Sequence, residues 1–143
     1  MEVHVLENEK KLQVIIKCKQ ADEQIDRLKT HIELFDKKLQ ARTEGDYQFV
    51  NAMEVLYFES VDNRVFLYTE NKVMEVKQRL YELEEMLSKQ DFIRSSKSQI
   101  ININKIKALK PELNRTILAT MCNGEQLYIS RKYVKEFRSL LAI

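Results

Sequence analysis

The sequence predicts a mainly β fold of the α+β class, and three observations carry that expectation. From Tyr47 onward the chain is a series of short segments rich in Val, Tyr, Phe, Leu and Ile, separated by turn-forming residues. Helical spacing of apolar residues is confined to three stretches. Asn123-Gly124, set between two apolar runs, is the strongest short hairpin signal available to a sequence.

Val3 and Val5 alternate with polar residues, as do Leu12, Val14, Ile16 and Cys18 after a polar stretch at residues 7–11, which predicts a β-hairpin. From Ala21 the period lengthens. Ile25, Leu28, Ile32, Phe35 and Leu39 recur at alternating steps of three and four, with Asp22, Glu23 and Asp26 at the start and Lys37 and Lys38 near the end. This is an amphipathic helix with charges matched to its dipole. Its narrow stripe has two uses open to it: packing on the chain's own sheet, which is commoner, or a dimer seam through Ile25, Leu28, Ile32 and Phe35. A turn at Gly45-Asp46 opens the strands at residues 47–50, 55–60, 64–69 and 73–76, with turns at Asp62-Asn63 and Glu70-Asn71. Residues 78–88 read as a short surface helix, because Leu80, Leu83 and Leu87 recur among Glu and Lys. Strands resume at 100–103, 106–109, 116–121 and 126–129. Ser130 then caps a last helix with Val134, Phe137, Leu140 and Leu141 on one face.

A chain of 143 residues makes one domain, or one domain with an extension, and buries roughly two thirds of its unfolded surface. Two Gly and one Pro argue against long flexible linkers. No apolar run approaches the roughly 20 residues needed to span a bilayer, and MEVHVLENEKK lacks a signal-peptide core, so the expected compartment is the cytoplasm. Cys18 and Cys122 match neither a disulfide framework nor metal-ligand spacing and are expected to be buried or partly buried free thiols. Residues 91–143 hold ten Lys/Arg against four acids, a balance of +6 that leaves −4 for residues 1–90. Such an asymmetry is the footprint of a nucleic-acid binder, although a membrane-surface binder reads the same way.

Enzymatic readings find no support. Gly45 and Gly124 are the only glycines, so there is no glycine-rich phosphate loop. His4 and His31 have no Cys or His at ligand spacing, Glu84-Glu85 reads as a solvated helix face, and no nucleophile has an evident base. No catalytic residue, metal site or cofactor is therefore expected. Helix-turn-helix is also excluded, because the later helices are isolated from one another. What remains is FIRSSKSQIININKI at residues 92–106. Arg94, Ser95, Ser96, Lys97 and Ser98 form a basic, hydroxyl-rich tip without an acid, and Ile100, Ile101 and Ile103 anchor it. That is either a polyanion contact or a solvated loop.

Three blocks in order extend the reading: EVLYFESVDNRVFLYT, then VKQRLYELEEML with DFIRSSKSQIININKIKAL, then YISRKYVKEF. Together they resemble the LytTR family of bacterial DNA-binding domains over roughly residues 46–143. Ser96 stands where that family usually has His, Lys97 where Arg or Asn is frequent, and Arg64 at a turn position that often carries Tyr, which puts sequence preference in question more than binding. Ser98 and Asn102 match the pattern and could equally be structural. The resemblance implies small packed antiparallel sheets with short helices, reading successive major grooves of double-stranded DNA, commonly as two molecules on repeated half-sites. It carries over Arg64, Lys97 and Arg131 as base-reading candidates, since Arg grips guanine bidentately and Lys reaches the same acceptors as a point charge. Arg94, Ser95, Ser96, Ser98, Lys105, Lys107 and Lys132 are then candidates for phosphate contact or field. Residues 1–44 are expected to be a hairpin and helix extension serving dimerisation or partner control, and residues 45–143 the DNA-binding domain. Roughly 45 residues are too few for the receiver domain many members carry, so the resemblance is to stand-alone regulators, often restrained by a small membrane protein. The expected function is a sequence-specific, homodimeric transcriptional regulator. The alternative is an interaction module whose basic face docks on an acidic protein or anionic membrane.

Overall fold

Side chains of a strand point alternately to opposite faces of its sheet, and here both faces are used. The structure, a computed structural model, describes residues 1–143. The elements in chain order are α1 (Glu23–Phe35), β1 (Lys38–Thr43), β2 (Asp46–Asn51), β3 (Tyr57–Val61), β4 (Arg64–Tyr68), β5 (Val73–Val76), α2 (Leu80–Met86), β6 (Phe92–Ser96), β7 (Gln99–Asn102), β8 (Ile106–Pro111), β9 (Ile117–Met121), β10 (Gln126–Ile129) and α3 (Arg131–Leu141), with 3-10 turns at Ala52–Glu54 and Ile103–Lys105. A seven-stranded antiparallel sheet runs β2-β1-β5-β4-β3-β7-β6, and a three-stranded one runs β10-β9-β8.

One face of the large sheet sends Leu39, Ala41, Val50, Val65, Leu67, Met74 and Phe58 into a first core, which Leu34 of α1 and Leu80 and Leu83 of α2 close from above. On the other face, Tyr57, Ile93 and Ile101 join Ile117, Ala119, Met121 and Ile129 of the small sheet and Phe137 of α3 in a second core. Tyr57 stacks on Tyr68 there with centroids 4.3 Å apart. The far half of that second face has no cover, leaving Tyr47, Phe49 and Val73 exposed.

The antiparallel sheets and short helices match the expected class, with four differences. Residues 1–22 form neither strand nor helix, and Val3, Val5, Leu12 and Val14 are exposed, so the expected N-terminal hairpin is absent. A lone two-stranded hairpin is marginal in water, and these residues find no third strand or core. Next, α1 ends at Phe35, and Leu39 belongs instead to β1, where it pairs with Val50 and is buried. The stripe of α1 is correspondingly shallow: Ile25, Leu28 and Ile32 are half-buried, Phe35 is 63% exposed, and Leu34 makes the core contact. Polar contacts help hold the helix down, with Thr30 Oγ1 donating to Gln90 Oε1 at 2.7 Å and His31 Nδ1 3.3 Å from the buried carboxylate of Asp91, which also accepts from Asn104. Finally, Cys18 and Cys122 are free thiols as expected but exposed. No helix is long and apolar enough to cross a membrane.

Candidate nucleic-acid interface

Pairing register decides which turns share an end. β3 and β4 are joined by Asp62-Asn63, both at positive φ, the backbone a two-residue hairpin requires and which Asp and Asn tolerate. β7 is antiparallel to β3, with Gln99 opposite Glu59, so the Lys97-Ser98 turn joining β6 to β7 lies at the end where β3 turns into β4. Ser60 N donates to Ser98 O at 2.8 Å and fastens the two turns together. Ser130 N donates to Ser95 O, also at 2.8 Å, which brings the start of α3 to the same end. Register on the small sheet places Ile129 beside Ile117 and Ile117 beside Pro111, so the β8–β9 loop, with exposed Arg115, shares the end of that sheet where α3 begins.

The three base-reading candidates thus stand on turns at one end, in different states. Lys97 is exposed at the tip, with Ser96 and Ser98 beside it: Ser98 N donates to Ser96 Oγ at 3.2 Å, and the two hydroxyls are 3.4 Å apart. Arg131 is exposed as the first residue of α3, with Lys132 next to it and its ammonium 5.5 Å from the Tyr133 ring centroid. Ser130 occupies the cap position, although its hydroxyl makes no capping hydrogen bond. Arg64 is engaged elsewhere. Its Nε and Nη2 donate to the two carboxylate oxygens of Glu75 at 3.2 and 2.6 Å, and its guanidinium lies 5.2 Å from the Phe66 ring centroid. That hydrogen bond holds the Glu75 carboxyl below its ordinary value against a partial desolvation, and Arg42, 3.4 Å away, adds to the effect.

The phosphate candidates divide. Ser96, Ser98 and Lys132 lie at the shared end. Ser95 does not qualify, because it is wholly buried and its hydroxyl has no partner. The cause is a β-bulge: Arg94 faces Ile100 and Ser96 faces Gln99, so Ser95 is the extra residue, on an edge covered by β10 and α3. Arg94 is only 19% exposed, bonding Glu84 Oε1 through Nε at 2.6 Å and Lys97 O through Nη1 at 2.5 Å. Lys105 and Lys107 follow the far end of β7 and are not brought to the tip. Sequence reasoning passed over Arg115 and also Arg79, which shares a shallow cleft with Asn63, Lys97 and Ser98. Strand pairing is what would have found both.

A family model described as the LytTr DNA-binding domain matches residues 45–142. The chain belongs to this family. It is a family of DNA-binding domains and not of enzymes. A solved LytTr DNA-binding domain from Bacillus cereus superposes with a TM-score of 0.72 at 33% identity, covering 76% of this chain and 99% of that one. An uncharacterized HTH-type transcriptional regulator of Staphylococcus aureus strain NCTC 8325 / PS 47 is 36% identical over 98 residues, 68% of this chain and 66% of that protein. The sensory transduction protein LytT of Enterococcus faecalis strain V583 is 31% identical over 99 residues, 68% of this chain and 41% of that protein. The matched region therefore spans about two thirds or less of the Staphylococcus and Enterococcus proteins. In this LytTr domain no two α-helices are consecutive in the chain, so no helix follows directly on another in helix-turn-helix fashion.

Proposed function

We propose that this protein is a sequence-specific regulator of transcription that reads double-stranded DNA with the end of the fold where the β3–β4, β6–β7 and β8–β9 turns meet the start of α3. The observation that carries this is the pair of backbone hydrogen bonds, Ser60 N to Ser98 O and Ser130 N to Ser95 O, which gather turns bearing Arg64, Lys97 and Arg131 at one end. In this reading Lys97 and Arg131 enter the major groove, while Ser96, Ser98, Lys132 and Arg115 meet the phosphates. Two copies bind repeated half-sites. The pairing or control segment is narrower than residues 1–44, because β1 is paired on both edges inside the large sheet; it comprises residues 1–22 and α1, a role supported by the exposed apolar side chains of residues 1–22 and by Phe35. A membrane-protein partner would act through that segment.

Selection of random duplex DNA by the purified chain at about 150 mM salt, where the Debye length is ~8 Å, tests the reading. Enrichment of a repeated motif with half-sites about one helical turn apart is the expected result. Arg131→Ala should then weaken the selected site roughly 5- to 150-fold and scrambled DNA far less. Lys105→Ala, away from this end, should change both little. Binding without any enrichment would leave only a basic surface and refute base reading.

A further inference from the structure

Arg94 lies in the basic tip, yet its surroundings are those of a group already in use. Its Nε is bonded to the Glu84 carboxylate of α2 and its Nη1 to the main-chain carbonyl of Lys97. With its charge paired and most of its side chain covered, it offers a phosphate little. The carbonyl it holds belongs to the two-residue turn that carries Lys97, directly beyond the bulge at Ser95 where regular pairing lapses. On the opposite side, Ser60 N holds the next carbonyl of that turn, Ser98 O. The turn is therefore pinned to β3 on one flank and to α2 on the other. Glu84 makes sense in the same terms. A carboxylate facing a polyanion is repulsive unless neutralised, and this one is 36% exposed and bound to Arg94.

We propose that Arg94 is a positioning residue of the DNA interface: it touches no DNA and, braced by Glu84, fixes the height and direction of the turn that presents Lys97. The inference rests on the reading of Lys97 as a base contact. Two features separate it from a phosphate contact. Lysine preserves charge but not the guanidinium fork that spans a carboxylate and a carbonyl at once, so Arg94→Lys would rescue a phosphate contact and would not rescue positioning. Removing the acid separates the two cases through the ratio of selected to scrambled affinity. If Arg94 were a phosphate ligand in waiting, Glu84→Gln would free it and tighten binding to every sequence alike, leaving that ratio unchanged. If Arg94 positions the turn, Glu84→Gln loosens it and lowers preference for the selected site.

The experiment measures fluorescence anisotropy of the full chain with two labelled duplexes, the one enriched by the unmodified protein and a scrambled duplex of equal composition, across a salt series. Arg94→Lys and Glu84→Gln should each lower the ratio of selected to scrambled affinity about three- to tenfold, and the double variant should lose no more than the worse single one, as expected of groups acting as one unit. The slope of log affinity against log salt on scrambled DNA should be unchanged in Arg94→Gln, whereas loss of a phosphate contact would flatten it by about 0.9. Far-ultraviolet circular dichroism and urea midpoints restrict the comparison to folded protein, and the Glu84 variant, altered on a helix surface, serves should the Arg94 variants fold poorly. Rescue by lysine, an unchanged ratio of selected to scrambled affinity in Glu84→Gln, or a flattened slope would overturn the inference. Lys97→Met separates its failure from that of the underlying reading. If that variant loses preference while the Arg94 and Glu84 variants keep it, positioning alone is wrong; if Lys97→Met keeps it too, base reading by Lys97 is wrong and the inference falls with it.

Discussion

Asn102 matches the LytTR sequence pattern, and its position assigns it to the frame of the fold and not to the DNA. Its side chain is wholly buried at the end of β7 away from the Lys97 turn. Nδ2 donates to Val55 O at 2.8 Å, and Oδ1 accepts from Asn104 N at 3.0 Å, capping the 3-10 turn Ile103–Lys105. Asn102→Ala strands the Val55 carbonyl, a loss of about 1–3 kcal/mol for a buried acceptor, and removes a cap worth about 1 kcal/mol. The sum is roughly 2–4 kcal/mol, which at a urea slope near 2 kcal/mol per molar moves the midpoint down by about 1–2 M. Asn102→Asp keeps the capping oxygen but sets a buried charge against the Val55 carbonyl. It should be at least as damaging near neutrality and partly recover in acid, where a protonated carboxyl can donate. Urea unfolding followed by circular dichroism measures this, with DNA affinity measured below the transition. A midpoint within about 0.25 M of the unmodified protein, or a folded variant that has lost preference for its site, would refute the assignment.

Other outcomes follow from equally local facts. Ser95→Ala removes a buried hydroxyl that has no partner, so stability should stay within about 1 kcal/mol or rise and DNA affinity should not change; a weakened salt dependence would restore Ser95 as a phosphate contact. Glu75→Gln releases Arg64 and deletes a negative charge from its surroundings, so affinity for all duplexes should increase, and a decrease would show that the pair must stay intact to bind. Because the folded Glu75 carboxyl titrates below its ordinary value, its ion pair contributes above that value and is lost as pH falls through the lowered one. The stability difference between Glu75→Gln and the unmodified protein should therefore shrink in acid unfolding series. Phe35→Ser alters an exposed ring, so the fold should keep its stability to within about 0.5 kcal/mol; if the α1 stripe is a dimer seam, the sedimentation mass should drop by half, and an unchanged dimer mass would exclude Phe35 from the seam.

Legibility in the sequence followed the range of the interactions involved. Turns fixed by neighbouring residues were readable: Asp62-Asn63 and Asn123-Gly124 sit between paired strands as expected. Strands with a strong local pattern were readable too, since Val65 and Leu67 face the first core while Arg64 and Phe66 face away. β1 was hidden because Leu39 falls four residues after Phe35, so a strand residue completed a helical stripe by coincidence of spacing. The N-terminal alternation misled for the opposite reason: the pattern is there, but nothing in the chain buries it. At the interface, residue type located the basic tip and α3, but not Ser95, whose burial depends on a bulge and on two elements far along the chain. Nor could it reveal that Glu84, read as part of a solvated helix face, holds Arg94.

The same distinction ranks the three base-reading candidates. A side chain that meets a base must be free at its end and fixed at its root. Lys97 meets both conditions, with an exposed ammonium on a turn held through Ser98 O and its own carbonyl. Arg131 does so as well, since α3 is anchored in the second core by the wholly buried ring of Phe137 and its cap residue Ser130 is tied to β6. Arg64 is fixed at the wrong end. Its guanidinium already spends two donors on Glu75, and reaching a base would mean giving up that bidentate pair for another of similar kind. Exchange between equivalent partners yields little net free energy, so Lys97 and Arg131 should carry most of the discrimination, and Arg64 should gain weight only when Glu75 is removed.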